Sequence, residues 1–292
     1  MKNPAKIANE NPAGEHERRR FKSVVRMIRP ADFARGHINR PQRPGGVADV
    51  SAIHPSKSFT IGVLLEIDPG WHVYWTNPGD SGMATSVKFK LPAGFTVAPD
   101  PFPVPRRIQQ PGNEVVYGYE NAVLISARVT PPADLRKGDD VAIRAAAGWL
   151  VCKEACMPGK AAVDLTMKVA DHAESANAAT FEREGTTVMP ARQSPADVNS
   201  VHWGKGSSSP VALLTVNWKS PVSEIELFPG ADDAVTVSAI TVGKTEGGTT
   251  SISLKVTLLS GQKPNSDELP VLIAYRDAKG KMRGFETSVP LK

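Results

Sequence analysis

Apolar and polar residues alternate in short runs from about residue 47 onward, and this period of two predicts strands. Residues 58–67 (SFTIGVLLEI) are apolar and β-branched, and Asp68-Pro69-Gly70 has the composition of a turn. In the next run Trp71, Val73 and Trp75 fall on one face, His72 and Tyr74 on the other. Residues 77–82 (NPGDSG) read as a loop, and short strands are predicted at 87–91 and 95–98. Pro101, Pro103, Pro105 and Pro111 rule out a central strand over 100–112 and predict a long surface loop. Strand character returns at 115–119, 122–129, 141–151 and 161–169.

Residues 171–200 change character. The Ala- and Glu-rich stretch 173–184 predicts a short helix, after which Pro190 and Pro195 interrupt the chain. A second series of strands follows at 211–218, 223–228, 235–242, 249–259, 269–276 and 284–291, with a hairpin turn at 245–250 (TEGGTT). The expectation is an all-β chain of two β-sandwiches in tandem. A disordered basic arm is expected over 1–46, a first sandwich over 47–170, a linker with a short helix over 171–200 and a second sandwich over 201–292. The second sandwich offers only His202 at its edge, and nothing in it suggests catalysis.

The length of 292 residues suits two domains, and 40% hydrophobic with 22% charged residues is ordinary globular composition. The net charge of +5 is unevenly placed: residues 1–50 hold 11 Lys/Arg against 5 Asp/Glu, so the rest is near neutral. The basic excess therefore belongs to the arm, and neither sandwich offers a phosphate loop or a basic–aromatic face for nucleic acid. No run of 18 apolar residues predicts a membrane-spanning helix. Arg18-Arg19-Arg20 could open a secretory leader, but residues 21–36 are interrupted by Lys22, Arg26, Arg29, Asp32 and Arg35, so no clear signal peptide is expected.

Candidate chemistry is confined to Gly148-Trp149-Leu150-Val151-Cys152-Lys153-Glu154-Ala155-Cys156-Met157-Pro158-Gly159. Two cysteines cannot scaffold a chain of this length, and a bridge across so short a loop adds roughly 2 kcal/mol or less. The residues predict a strand ending at Val151 and a turn at Met157-Pro158-Gly159. Between them one helical turn would bring Cys152 and Cys156 to one side, with Cα atoms about 6 Å apart, within disulfide range. Lys153 favours a thiolate beside it and Glu154 opposes it. Three readings stay open. The pair cycles between dithiol and disulfide; or Cys152, Cys156, Met157 and His72 hold Cu(I); or the bridge is inert, within a structural interaction module. No zinc site is predicted, because no further Cys or His stands at a usual spacing.

Three motifs carry a resemblance. Residues 70–82 (GWHVYWTNPGDSG), 116–121 (VYGYEN) and 149–158 (WLVCKEACMP) resemble the periplasmic N-terminal domain of the DsbD/ScsB family of thiol:disulfide interchange proteins, over about residues 47–170. The second half is similar to the further β domain of the ScsB branch. The resemblance implies immunoglobulin-like sandwiches, with Cys152 and Cys156 as the exchanging pair at one end. It implies a protein-disulfide reductase type of activity and no cofactor. It also implies an extracytoplasmic, periplasmic setting, a membrane-embedded thiol reductase as one partner and periplasmic thiol proteins as the others. Tyr74 and Tyr117 are expected to line the site beside Lys153, Glu154, Met157 and His72. The stretch Gln109-Gln110-Pro111-Gly112 is the positional candidate for the loop that shields the pair. Its residues differ from the shielding motif of better-known members, and the cysteine gap is shorter. Full-length members continue into a membrane domain and a thioredoxin-like domain, so this chain is expected to depend on a separate membrane partner. Apart from these roles, Trp71, Trp75 and Trp149 are expected in the core, and Asp80 and Glu120 are expected to fix loops.

Overall fold

The computed structural model describes residues 46–185, 188–189, 194–203 and 211–291. The basic arm lies outside them except for Gly46, which is already in a strand. In chain order the strands are β1 (Gly46–Ala48), β2 (Phe59–Glu66), β3 (His72–Gly79), β4 (Ser86–Lys90), β5 (Thr96–Pro99), β6 (Arg106–Gln109), β7 (Val115–Tyr119), β8 (Ala122–Thr130), β9 (Asp140–Cys152) and β10 (Cys156–Lys168). Helix α1 (Ala178–Glu184) follows, then β11 (Val188–Met189), β12 (Ala196–Trp203), β13 (Val211–Trp218), β14 (Ser223–Pro229), β15 (Val235–Val242), β16 (Thr249–Leu258), β17 (Glu268–Arg276) and β18 (Met282–Pro290). The expected all-β architecture of immunoglobulin-like sandwiches holds.

The first half packs a four-stranded sheet, β1-β2-β8-β5, against a six-stranded one, β10-β9-β3-β7-β6, with β4 also pairing β9. Val63, Leu65, Val123 and Ile125 of the first sheet meet Val73, Trp75, Tyr119, Ala147 and Trp149 of the second. The alternation of β2 is masked because its outer face is covered too. Leu64 packs with Val47, Leu124 and Phe181 of α1, so the helix expected within a linker is docked on a sheet.

The second half pairs sheet β11-β18-β17-β14 with sheet β12-β13-β16-β15. Leu214, Ile252, Leu254, Leu227, Ile273 and Phe285 fill its core. The expected hairpin turn is present: Gly247 (φ 57°) and Gly248 (φ 80°) take the positive-φ positions between β15 and β16. Strand β12 begins at Ala196, inside the stretch read as a linker.

Strand β17 (ELPVLIAYR) carries an apolar run that is buried without a break from Val271 to Tyr275, the signature of a strand covered on both faces. Val271 and Ile273 face the core of the second half. Leu272 and Ala274, with Phe228 of β14, join the core of the first half. Phe228 meets Trp75 at 6.2 Å and Tyr117 at 5.4 Å, both edge to face. The Pro-rich stretch expected on the surface is wedged into this junction. Phe102 and Val104 pack on the shared core, Pro103 and Pro105 are buried, and Tyr119 Oη donates to Pro103 O at 2.7 Å. Its end forms β6 at a sheet edge, where a neighbouring proline is tolerated.

Candidate functional site

The two cysteines close a β-hairpin. Strand β9 runs to Cys152, Lys153-Glu154-Ala155 turn the chain, and β10 starts at Cys156 with Cys156 directly opposite Cys152. The expected helical turn is absent, and Met157-Pro158-Gly159 continues the strand. Pro158 is accommodated because β10 lies at the sheet edge. The cysteines are joined in a disulfide, with Cα atoms 4.2 Å apart. That separation belongs to an opposed cross-strand pair rather than to i and i+4 on a helix.

The two sulfurs have different surroundings. Cys152 is 2% exposed, whereas Cys156 is exposed. Cys152 packs with Tyr74 and Val116, and with Ile108 and Leu150 around them. Tyr74 Oη donates a hydrogen bond to Cys152 Sγ at 3.0 Å. Burial pushes the Tyr74 phenol above its usual range, and the Glu114 carboxylate adds to this, so Tyr74 keeps its proton as a donor. Gly82 (φ 111°) roofs the Tyr74 ring: a Cβ there would lie 2.1 Å from Tyr74 Cε1, so this turn requires glycine. Asp80 anchors the loop that carries it, accepting the Val115 N–H at 2.8 Å. Ser81 donates to Glu114.

His72 belongs to this face, as the alternation of 71–75 predicts. It stands opposite Cys152 in the β3–β9 register, is 3% exposed, and meets the Tyr74 ring edge to face at 5.1 Å. Its Nε2 is buried without a hydrogen-bond partner. Burial holds the ring's pKa below the ordinary histidine value, with the Glu120 carboxylate pulling the other way.

Two candidate lining residues lie elsewhere. Tyr117 is on the opposite face of the sheet, against Phe228 and under the Arg107 guanidinium at 5.4 Å. One residue of alternation separates it from Val116, which does face Cys152. Met157 pairs with Val151, whose side chain packs on the inter-sheet core, so strand alternation turns Met157 away from the sulfurs. Cys152, Cys156, Met157 and His72 therefore do not converge on one point as the Cu(I) reading requires. Lys153 and Glu154 are exposed in the hairpin turn, with Lys153 close to Gly70.

Ile108, Val116 and Leu150 are neighbours that sequence reading did not find. Ile108 sits in β6 just before Gln109-Gln110-Pro111-Gly112 and packs against the cluster of Tyr74, Val116 and Cys152. The apolar alternation of residues 115–119 could have pointed to Val116. Nothing local marks Ile108.

The family model described as thiol:disulfide interchange protein DsbD, N-terminal, matches residues 39–168, the segment holding both cysteines. This is the family whose motifs the sequence resembles. The crystal structure of the N-terminal periplasmic domain of ScsB from Proteus mirabilis is similar, with a TM-score of 0.53 and 13% identity, covering 87% of this chain and 97% of that one. At that identity the likeness establishes the fold, and it extends over both halves. The periplasmic chaperone SfaE (TM-score 0.22, 6% identity, 84% and 98% covered) and the E. coli chaperone DraB (0.20, 11%, 83% and 98%) score too low to argue a common fold. No curated protein matches. The family match supports a thiol:disulfide interchange module.

Proposed function

We propose that this chain is an extracytoplasmic thiol:disulfide exchange module that accepts reducing equivalents from a membrane-embedded reductase and passes them to partner thiol proteins. One observation carries the reading: the disulfide offers an exposed Cys156 and buries Cys152 beneath a hydroxyl donor. A partner thiolate attacks Cys156 Sγ, forming a mixed disulfide. The Cys152–Cys156 bond breaks, and its electron pair stays on Cys152 Sγ, where the Tyr74 O–H stabilises the thiolate. A second partner thiolate then attacks the partner sulfur of the mixed disulfide. It releases Cys156 and leaves the module as a dithiol and the partner as a disulfide. The reverse sequence reduces a downstream substrate. The periplasmic setting and the two partner classes follow the matched family.

Thiol trapping with mass spectrometry across buffers of defined redox poise tests this. The pair is expected to interconvert between disulfide and dithiol, and Cys152→Ser is expected to accumulate partner disulfides at Cys156. A bridge that stays closed under strongly reducing poise removes the proposal.

A further inference from the structure

Opening the disulfide creates a charge problem that the Tyr74 hydroxyl only half solves. Cys152 is 2% exposed, and an unpaired thiolate in an apolar surround is costly. The sheet supplies a row that answers it. Cys156 is opposite Cys152 across β10 and β9, and Cys152 is opposite His72 across β9 and β3. Val73 pairs with Tyr119 and Tyr74 with Gly118 across β3 and β7. One further step of that register brings His72 beside Glu120, whose carboxylate acts on the ring. Directly opposed residues project on one face with Cβ atoms about 4.5–5.5 Å apart. Glu120 is partly exposed at the solvent end of the row, where Arg106 Nη1 stands 3.8 Å from Oε2. The middle member is a buried imidazole whose Nε2 has no partner while the disulfide is closed.

We propose that Glu120, His72 and Cys152 form a proton row, in which His72 becomes the charge partner of the Cys152 sulfur when the disulfide opens. This rests on the exchange function proposed above. The electron balance there is unchanged. When Cys152 leaves as a thiolate, one proton moves from solvent by way of the Glu120 carboxyl to His72 Nε2, giving an imidazolium facing a thiolate. On re-oxidation Cys152 attacks Cys156 Sγ of the mixed disulfide: the Cys152–Cys156 bond forms, the bond from Cys156 to the partner sulfur breaks, the partner leaves as a thiolate with that electron pair, and the proton on His72 returns to solvent. His72 acts here as a positioning residue. It touches neither partner nor the bond being formed, and it sets how readily Cys152 leaves. The titratable groups facing the ring are Tyr74 on its own strand, Cys152 on β9 and Glu120 after β7. Arg106 of β6 is paired with Glu120, and Lys153 reaches toward Gly70 before β3.

Two measurements on the full chain decide it. Ring ¹⁵N and ¹H spectra of His72 follow its titration in the disulfide and dithiol forms of the unaltered protein. The titration midpoint is expected to rise by about one pH unit or more on reduction, since a thiolate favours the imidazolium. Equilibration with glutathione compares the unaltered protein with His72→Gln and Glu120→Gln. His72→Gln is expected to move the constant about tenfold toward the disulfide, equivalent to about 30 mV for a two-electron couple. Glu120→Gln is expected to move it less, in the same direction. An unmoved midpoint overturns the inference, as does a constant within twofold of the parent for a folded His72→Gln protein. If His72→Gln does not fold, the midpoint alone decides. Exchange itself is read separately: a parent disulfide that glutathione never opens removes the exchange function and this inference together, whereas opening with no His72 response removes only the inference.

Discussion

Tyr74 is the residue on which the asymmetry of the cysteine pair most directly depends. Its hydroxyl donates to Cys152 Sγ at 3.0 Å. A hydrogen bond to a charged group contributes about 1.5–3 kcal/mol, so Tyr74→Phe is expected to shift equilibrium with glutathione toward the disulfide by about tenfold or more. Quantified thiol trapping reads this, and an unchanged constant would show that the hydroxyl does not stabilise the thiolate. Gly82 holds the ring from above. Gly82→Ala places a Cβ inside the Tyr74 ring at a backbone angle that side chains rarely adopt, and is expected to cost about 2 kcal/mol or more in denaturant unfolding. His72 supplies a pH dependence. Its folded pKa lies below the unfolded value, so the unfolded chain binds more protons as pH falls through about 6.5. Stability of the disulfide form is therefore expected to be full above that range and to decline from pH 7.5 to 5.5. His72→Gln flattens that slope in urea titrations at fixed pH.

At the scale of elements, the hairpin β9–β10 and the short edge strand β6 build the site between them. The hairpin fixes which sulfur faces outward, because β10 is the sheet edge and β9 lies inside it. Strand β6 places Ile108 opposite Val116 and against the cluster that encloses Cys152. Ile108→Ala would admit water to the leaving sulfur and lower the cost of its charge. The rate of disulfide opening by a small thiol is expected to rise several-fold, measured by stopped-flow under excess reductant, and an unaltered rate would mean that β6 does not shield the sulfur. The sequence reading of these elements was uneven for physical reasons. An apolar, β-branched run located β2 and alternation located β13, whose residues pair without interruption along β8 and β16. The sequence reading stopped β3 short at residue 77, whereas the strand runs to Gly79 through an irregular register with β7. It also made a turn of Met157-Pro158-Gly159, because proline and glycine signal turns unless an edge position leaves the missing N–H without consequence.

The two halves of the molecule share a core. The β11-β18-β17-β14 sheet serves the second sandwich with one face and the first with the other, and Phe228 enters between Trp75 and Tyr117. Arg107, adjacent to Ile108, reinforces the junction. It stacks over Tyr117 and Phe228, donates to Leu227 O at 2.8 Å and faces Glu226. Removal of a buried phenylalanine side chain costs about 3–5 kcal/mol. Phe228→Ala is accordingly expected to lower the unfolding midpoint by roughly 6–20 °C, given about 2–4 °C per kcal/mol at this size. Calorimetry should also register that loss in the transition of the first half. A midpoint unchanged for the cysteine-bearing half would mean that the halves are energetically independent.

Local periodicity and the three motifs determined by themselves that the chain is all-β, where most strands lie, and which two cysteines are the candidates for chemistry. These properties depend on residues near one another in sequence, and backbone pleating makes them visible as alternation. Only the tertiary structure decided that Cys156 faces solvent while Cys152 is enclosed, that His72 shares its row whereas Tyr117 and Met157 face away, and that the second half completes the core of the first. Each depends on strand order and register between residues tens of positions apart, and a shift of a single residue in that pairing would turn every side chain to the other face.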